Sequence, residues 1–288
     1  MVTAFAPGKC ILFGEHAVVY GQPAVAVSID AGVEVTISES SRWILEGMSF
    51  EQSKHPHISY IINDVFQYTG RPLKIDIRSG LFSAAGLGSS AALSNSMGAA
   101  LHQYTKPSEP LDLISLAKMG HSAEARAQKG RASPTDTATS ALGGCVVVSG
   151  SSPAGTKHIF DATLETPEGS RNWSVSKVEL PEIEDVWLVL GFTGMGSPTG
   201  DMVAGVSELL KSDPIKMKEI EAIGQITHSG LGALSSGNME GVGQAMNECQ
   251  ERLRKIGVSS PELENLISAT DRHSLGTKLT GAGGGGCM

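Results

Sequence analysis

Residues 84–93, Ala-Ala-Gly-Leu-Gly-Ser-Ser-Ala-Ala-Leu, constrain this chain more than any other stretch. Gly86 and Gly88 make a turn without side-chain bulk, and the apolar run that follows reads as a helix whose first turn carries Ser89 and Ser90. The first N–H groups of a helix have no internal partner, and the helix dipole places partial positive charge on them. Bare donors beside such a turn form a cradle for a polyphosphate. The two serines also suit ordinary N-caps. Residues elsewhere must decide between a capped helix and an anion site.

With 288 residues, 40% of them hydrophobic, the chain can bury a sizeable core, and its length predicts two medium domains. A net charge of -8, from 30 acids against 22 bases without a Lys/Arg block, argues against nucleic acid or an anionic membrane as partner. A small molecule is expected instead. Cys10, Cys145, Cys249 and Cys287 lie far apart with no CxxC pair, which predicts a reducing, cytoplasmic setting. No signal-peptide pattern opens the chain, and no segment approaches the roughly 18 apolar residues of a membrane span, so a soluble, unprocessed protein is expected.

Val2 to Ala6 reads as a strand leading into residues 7–21, PGKCILFGEHAVVYG. There Lys9, Glu15 and His16 interrupt small and apolar residues, a costly setting for charge unless it is partnered or used. A surface turn with a solvated Lys9 is the alternative. Ala24 to Ile37 is strand-like, Ser59 to Tyr68 has helical spacing, and Leu73 to Ile77 alternates as a strand that feeds the glycine turn. The helix after the turn runs to about Tyr104. A further helix follows Pro110 and ends near Gly130, its exposed side carrying His121 and Glu124. His55 and His57 sit in a polar stretch without further ligand spacing and read as loop.

Ser133-Pro134-Thr135-Asp136 has the form of a capping box, which is also a rigid mount for a carboxylate. Gly144 to Ser149 is a strand. Residues 150–181 are polar and broken, with a weak strand pattern at His158 to Phe160, and a domain boundary is placed there. Asp185 to Phe192 reads as a buried strand, and Ser197-Pro198-Thr199 repeats the Ser-Pro helix start. Helices are predicted around Met202 to Leu210, Ile215 to Leu234, Met239 to Ile256 and Pro261 to Asp271, with Gly257 and Ser260 as stop and start signals. The closing run KLTGAGGGGC, residues 278–287, is either a flexible tail or a second point of close backbone approach to a ligand.

Gly86-x-Gly88-x-x-Ala91 also satisfies a relaxed dinucleotide fingerprint, with Glu109 at about the ribose distance. Its strand, however, ends near Ile77, too early for that motif. No Walker lysine follows the glycines, and no HRD or DFG set marks a protein kinase. What remains is a phosphate cradle whose positive charge must come from elsewhere, from Lys9.

The ordered trio PGKCILFGEHAVVYG, AAGLGSSAAL and KLTGAGGGGC resembles the three signature motifs of the GHMP small-molecule kinases across nearly the whole chain. The GEHAVVYG form is most similar to the branch that phosphorylates the C5 hydroxyl of mevalonate with ATP, in the cytosolic route to isoprenoids. Two departures stand out: Phe82-Ser83 where a proline is usual, and GRASPTDT where a GxPSGxD form is common. The resemblance implies an α+β, two-domain fold: a ribosomal S5 domain 2-like N-terminal domain over 1–180 and a ferredoxin-like C-terminal domain over 181–288. It further implies a closing strand beyond Met288.

By the same resemblance, Ala84, Ala85, Gly86, Leu87, Gly88, Ser89, Ser90 and Ala91 would wrap the ATP phosphates, with Ser90 and Glu124 as ligands of Mg²⁺. Asp136 would be the catalytic base and Lys9 its catalytic partner, both touching the substrate hydroxyl. Glu15, His16, Gly283 and Gly284 would complete the substrate pocket. Another GHMP enzyme, such as phosphomevalonate kinase or the pathway decarboxylase, and a non-catalytic nucleotide-binding paralogue remain alternatives, and a homodimer stays open.

Overall fold

The computed structural model describes residues 1–128, 130, 132–166, 169–182, 185–197 and 199–288. Pro198, from the second Ser-Pro helix start, lies outside the described residues.

Val2–Phe13 (β1) is one strand that carries the first motif as far as Phe13. It lies antiparallel to Ala24–Glu39 (β2), from Val2 opposite Ile37 to Phe13 opposite Val25. The register slips between Pro7 and Lys9, and such a bulge re-aims a side chain. Lys9 is 2% exposed, so the solvated surface turn is not what forms. Hydrogen bonding along β1 satisfies the backbone and leaves the lysine pointing inward.

Two short strands follow, Ile44–Leu45 (β3) and Met48–Ser49 (β4), then the helix Pro56–Tyr60 (α1), which widens into a π-type turn at Ile61–Val65. Leu73–Ser79 (β5) pairs with the C-terminal half of β2. Three helices come next: Ser89–Thr105 (α2), Leu113–Ala127 (α3) and Thr135–Leu142 (α4). Cys145–Ser149 (β6) pairs with the N-terminal half of β2, and the hairpin Lys157–Thr166 (β7) and Gly169–Val178 (β8) extends the sheet beyond it. Among the described residues the sheet order is β4-β3-β5-β2-β6-β8-β7, with β1 laid on β2.

The hairpin corrects the expectation that residues 150–181 are mostly irregular. Its strands are polar along the outside, while Phe160, Ala162, Trp173 and Val175 fill a core with Val146 and Val148. The helix bearing His121 and Glu124 is corrected as well. Both residues are buried, at 6% and 4% exposure, because α3 is covered on more than one side.

Thr199–Ser212 (α5), Met217–Ser235 (α6), Met239–Lys255 (α7) and Pro261–Thr270 (α8) make the helical second half. Gly257 takes a φ of 78° just beyond α7, and the Ser260 hydroxyl caps α8 by accepting from Leu263 N. These helices share one core with β1: Cys10, Leu12 and Phe13 pack with Val206, Ile223, Leu231, Cys249, Leu253 and Leu279. A second core lies between the sheet and α1 and α2.

Residues 185–192 are not the buried strand their apolarity predicts. Trp187 and Val189 are 86% and 75% exposed. Only the end of the segment pairs, through Phe192 opposite Cys287 and reciprocal bonds between Gly191 and Met288. Leu190 and Phe192 find packing partners, whereas no second layer covers 186–189 among the described residues. No helix among the described residues is long and apolar enough to cross a membrane.

Candidate active site

The glycine turn is tied down by its own carbonyls. Lys9 N donates to Leu87 O at 3.0 Å, Cys287 N to Ala85 O at 3.0 Å and Ser197 N to Ala84 O at 2.7 Å. The first intrahelical bond of α2 runs from Ala92 N to Gly88 O at 2.9 Å, so the N–H groups of Ser89, Ser90 and Ala91 have no partner within the helix. No serine side chain caps α2, because the N-cap position is Gly88 in the left-handed conformation.

The bulk-free turn is required on both sides. Gly86 has a φ of 79°, and a Cβ there would stand 2.7 Å from Thr280 O. The C-terminal glycine run is thus neither loose nor a tail. It packs backbone to backbone against the turn, with Gly281 and Ala282 in the wall of the cleft. Ala84, Gly86, Gly88, Ser89 and Ser90 line that cleft, whose volume is about 420 Å³. The side chains of Ala85, Leu87 and Ala91 are buried instead, which leaves those residues only their backbone to offer.

Lys9 enters this cleft from β1. Its Nζ donates to Gly86 O at 2.8 Å and lies 3.1 Å from Asp136 Oδ1. Asp136 sits in the first turn of α4 but does not cap it, and no side chain does. The expected capping box is therefore absent: Ser133 Oγ bonds Thr135 Oγ1 at 3.0 Å, and the aspartate turns to the lysine. The Asp136 side chain remains 39% exposed, open to the cleft. Desolvation by the surrounding walls pushes its carboxyl up, Lys9 pulls it down and Glu124 adds to the rise, with a net upward shift.

Glu124 projects from α3 into the same cleft. Its Oε2 accepts from Gln128 Nε2 at 2.6 Å, and its Oε1 lies 3.2 Å from His57 Nε2. Burial raises its pKa, but the adjacent His57 imidazole, with Ser90 and Gln128, outweighs burial and holds the carboxyl below its ordinary value. One turn earlier, His121 Nε2–H donates to Ala132 O at 3.0 Å and anchors the segment that leads into α4. Among the described residues no group of three or more His, Cys, Asp and Glu side chains is placed to hold a metal, so any cation here would draw on a single carboxylate together with hydroxyl and ligand oxygens.

The remaining expected residues divide. His16, at a φ of 60°, lines the cleft, where Nε2–H donates to Ala282 O at 2.8 Å and Nδ1 is buried without a partner among the described residues. Glu15 also borders the cleft, yet its carboxylate is committed to the buried ammonium of Lys278, which donates as well to Ile11 O at 3.4 Å. Ion pairing inside the protein satisfies that carboxylate, so the geometry gives Glu15 a structural partner rather than a free face. Gly283 and Gly284 lie behind the wall: Ser197 Oγ donates to Gly283 O, and Gly284 N donates to Val258 O at 2.7 Å. The cleft also takes in Ser197, Thr199, Gly200 and Val203 from the start of α5. The Ser197-Pro198-Thr199 helix start is visible in the sequence, but nothing local ties it to the site. The one signal is its likeness to the turn at 84–93, a glycine-flanked Ser and Thr entering a helix.

The profile of the GHMP kinases N terminal domain matches residues 57–144, and that of the GHMP kinases C terminal matches residues 231–288. A mevalonate kinase of Methanothermobacter thermautotrophicus is 34% identical over 99% of this chain and 88% of that protein. One from Archaeoglobus fulgidus is 31% identical over 99% of this chain and 90% of that protein. The crystal structure of the Methanococcus jannaschii mevalonate kinase superposes with a TM-score of 0.73 at 25% identity, covering 99% of this chain and 88% of the other.

Proposed function

This chain belongs to the GHMP kinases, and from that premise we propose that it transfers the γ-phosphoryl group of ATP to the C5 hydroxyl of mevalonate, giving 5-phosphomevalonate and ADP. One observation carries the mechanism: an ammonium and a carboxylate 3.1 Å apart, at the end of a cleft whose other wall is the open N-terminus of α2. The amides of Ser89, Ser90 and Ala91, without partners within the helix, receive phosphate oxygens. Asp136 accepts the hydroxyl proton as the C5 oxygen attacks the γ-phosphorus and the bond to the β-phosphate oxygen breaks. Its upward-shifted pKa makes it a better proton acceptor than an ordinary carboxylate. An ammonium has three donors. Lys9 directs two at Gly86 O and Asp136, and the third meets the reacting oxygen or the γ-phosphoryl group, where charge develops.

Ser90 and Glu124 fit a hard divalent cation such as Mg²⁺, since both offer oxygen and the carboxyl is held ionised. When bound, that ion neutralises phosphate charge. His16 and the α5 start shape the acceptor side of the cleft. We propose the division of the chain near residue 180, after β8, with the cleft drawing on both parts.

The test is ADP release from purified protein with ATP and Mg²⁺ across a panel of acceptors. Turnover with mevalonate is expected. Turnover with phosphomevalonate or galactose, and none with mevalonate, would replace the substrate assignment.

A further inference from the structure

His55-Pro56-His57 reads as loop in sequence, yet the structure brings one of its histidines to the cation side of the cleft. His57 Nε2 lies 3.2 Å from Glu124 Oε1, and both atoms are buried without a well-aligned hydrogen bond. Glu124 itself is 4% exposed, and its other oxygen is held by Gln128. Two unsatisfied polar atoms facing each other in a protein interior are an arrangement waiting for a small adjustment. The histidine is not a stray side chain. Ile58 and Ile61 on either side of Tyr60 are buried in the core, and the Tyr60 ring lies under the Arg126 guanidinium of α3 at 5.5 Å. Unlike Glu124 and Ser90, His57 does not line the cleft. It lies against the carboxylate without entering the cleft.

We propose that His57 is a positioning residue for the cation site: it donates Nε2–H to Glu124 Oε1 and fixes the plane in which the carboxylate meets the divalent ion. Carboxylates that hold metals are commonly oriented by such an outer partner, and its loss costs metal affinity of about 10- to 100-fold. Gln128, just beyond the end of α3, holds the second oxygen at 2.6 Å, so the His57 bond would leave both carboxylate oxygens held while Ser90 faces the cleft. This inference rests on the cation assignment to Ser90 and Glu124 above.

The experiment is a Mn²⁺ titration followed by electron paramagnetic resonance, on the full chain with a non-hydrolysable ATP analogue. Wild type is compared with His57→Ala and His57→Gln, and metal-free analogue binding is measured in parallel in EDTA. The alanine variant is expected to bind Mn²⁺ about 10- to 100-fold more weakly with metal-free analogue affinity retained, and the glutamine amide to restore most of the loss. Mn²⁺ affinity within twofold of wild type in a folded His57→Ala protein would overturn the inference. So would a loss shared equally by the glutamine variant and by metal-free analogue binding, which would assign His57 to the packing of α1. If wild type itself binds no Mn²⁺ beside the analogue, the cation site and this inference fall together. If it binds Mn²⁺ but turns over no mevalonate, the substrate reading alone falls.

Discussion

Lys9 is a buried cation held by one carbonyl and one carboxylate, and each contact has a kinetic consequence. In the proposed mechanism Asp136 must be ionised to take a proton, and its pKa is shifted upward, so kcat/KM should fall as pH drops through a value above the ordinary carboxylate pKa of about 3.9. A pH–rate profile checks this, and one that stays flat down to pH 4 would contradict it. Lys9→Met removes the pull on Asp136 and, in the proposed mechanism, the charge at the reacting oxygen. Its kcat should drop by about 10²- to 10³-fold, and the acid limb of the residual activity should move further up in pH. The buried Glu15–Lys278 pair is a different kind of site. It ties the first motif to the last, and removing either partner alone leaves a charge stranded in the core.

At the scale of elements, the glycine turn and α3 each yield a prediction. Gly86→Ala puts a Cβ at a φ of 79° and 2.7 Å from Thr280 O, so it should lower stability by more than about 1 kcal/mol and raise the KM for ATP. Thermal melts and saturation kinetics report the two effects. His121 in α3 has its pKa lowered, chiefly by burial, so the unfolded chain binds a proton more readily than the folded one. The stability it allows is therefore present above the unfolded value of about 6.5 and lost as pH falls below it. The melting temperature should decline from pH 7 to pH 5, and His121→Asn should flatten that decline.

The same elements show what a sequence can and cannot reveal. β2, α2, α7 and α8 were legible because their period, caps and glycine stops agree with their packing. The burial of His121 and Glu124 was not, because α3 is built of alanine and glycine on several sides and its pattern does not say which face meets protein. The β7–β8 hairpin hid behind its polar outer residues. Residues 185–192 misled in the other direction: apolarity predicts burial only where another layer exists to receive it, and Trp187 meets none among the described residues. At the site, Lys9, Asp136 and the turn were legible as motifs. The proposed contribution of His57 depends on folding distant segments together, and no local spacing encodes that.

At the scale of the whole molecule, the core shared by β1 and the C-terminal helices ignores the proposed division near residue 180. Phe13 of β1 packs against α6 so closely that a Cβ on Gly230 would stand 2.7 Å from its ring. Phe13→Ala should cost about 3–5 kcal/mol. Because that core joins β1 to the C-terminal helices, the loss should appear as a single shifted transition in calorimetry, and two separate transitions would contradict a shared core. This shared core holds the cleft together, since Lys9 is carried by β1, Asp136 by α4 and the glycine wall by the C-terminal segment. Single-turnover transfer from ATP to mevalonate by Asp136→Asn, with nucleotide affinity measured alongside, tests that convergence most directly. A rate lower by about 10²- to 10⁴-fold with nucleotide affinity within twofold of wild type is the predicted result; phosphoryl transfer at the wild-type rate would contradict it.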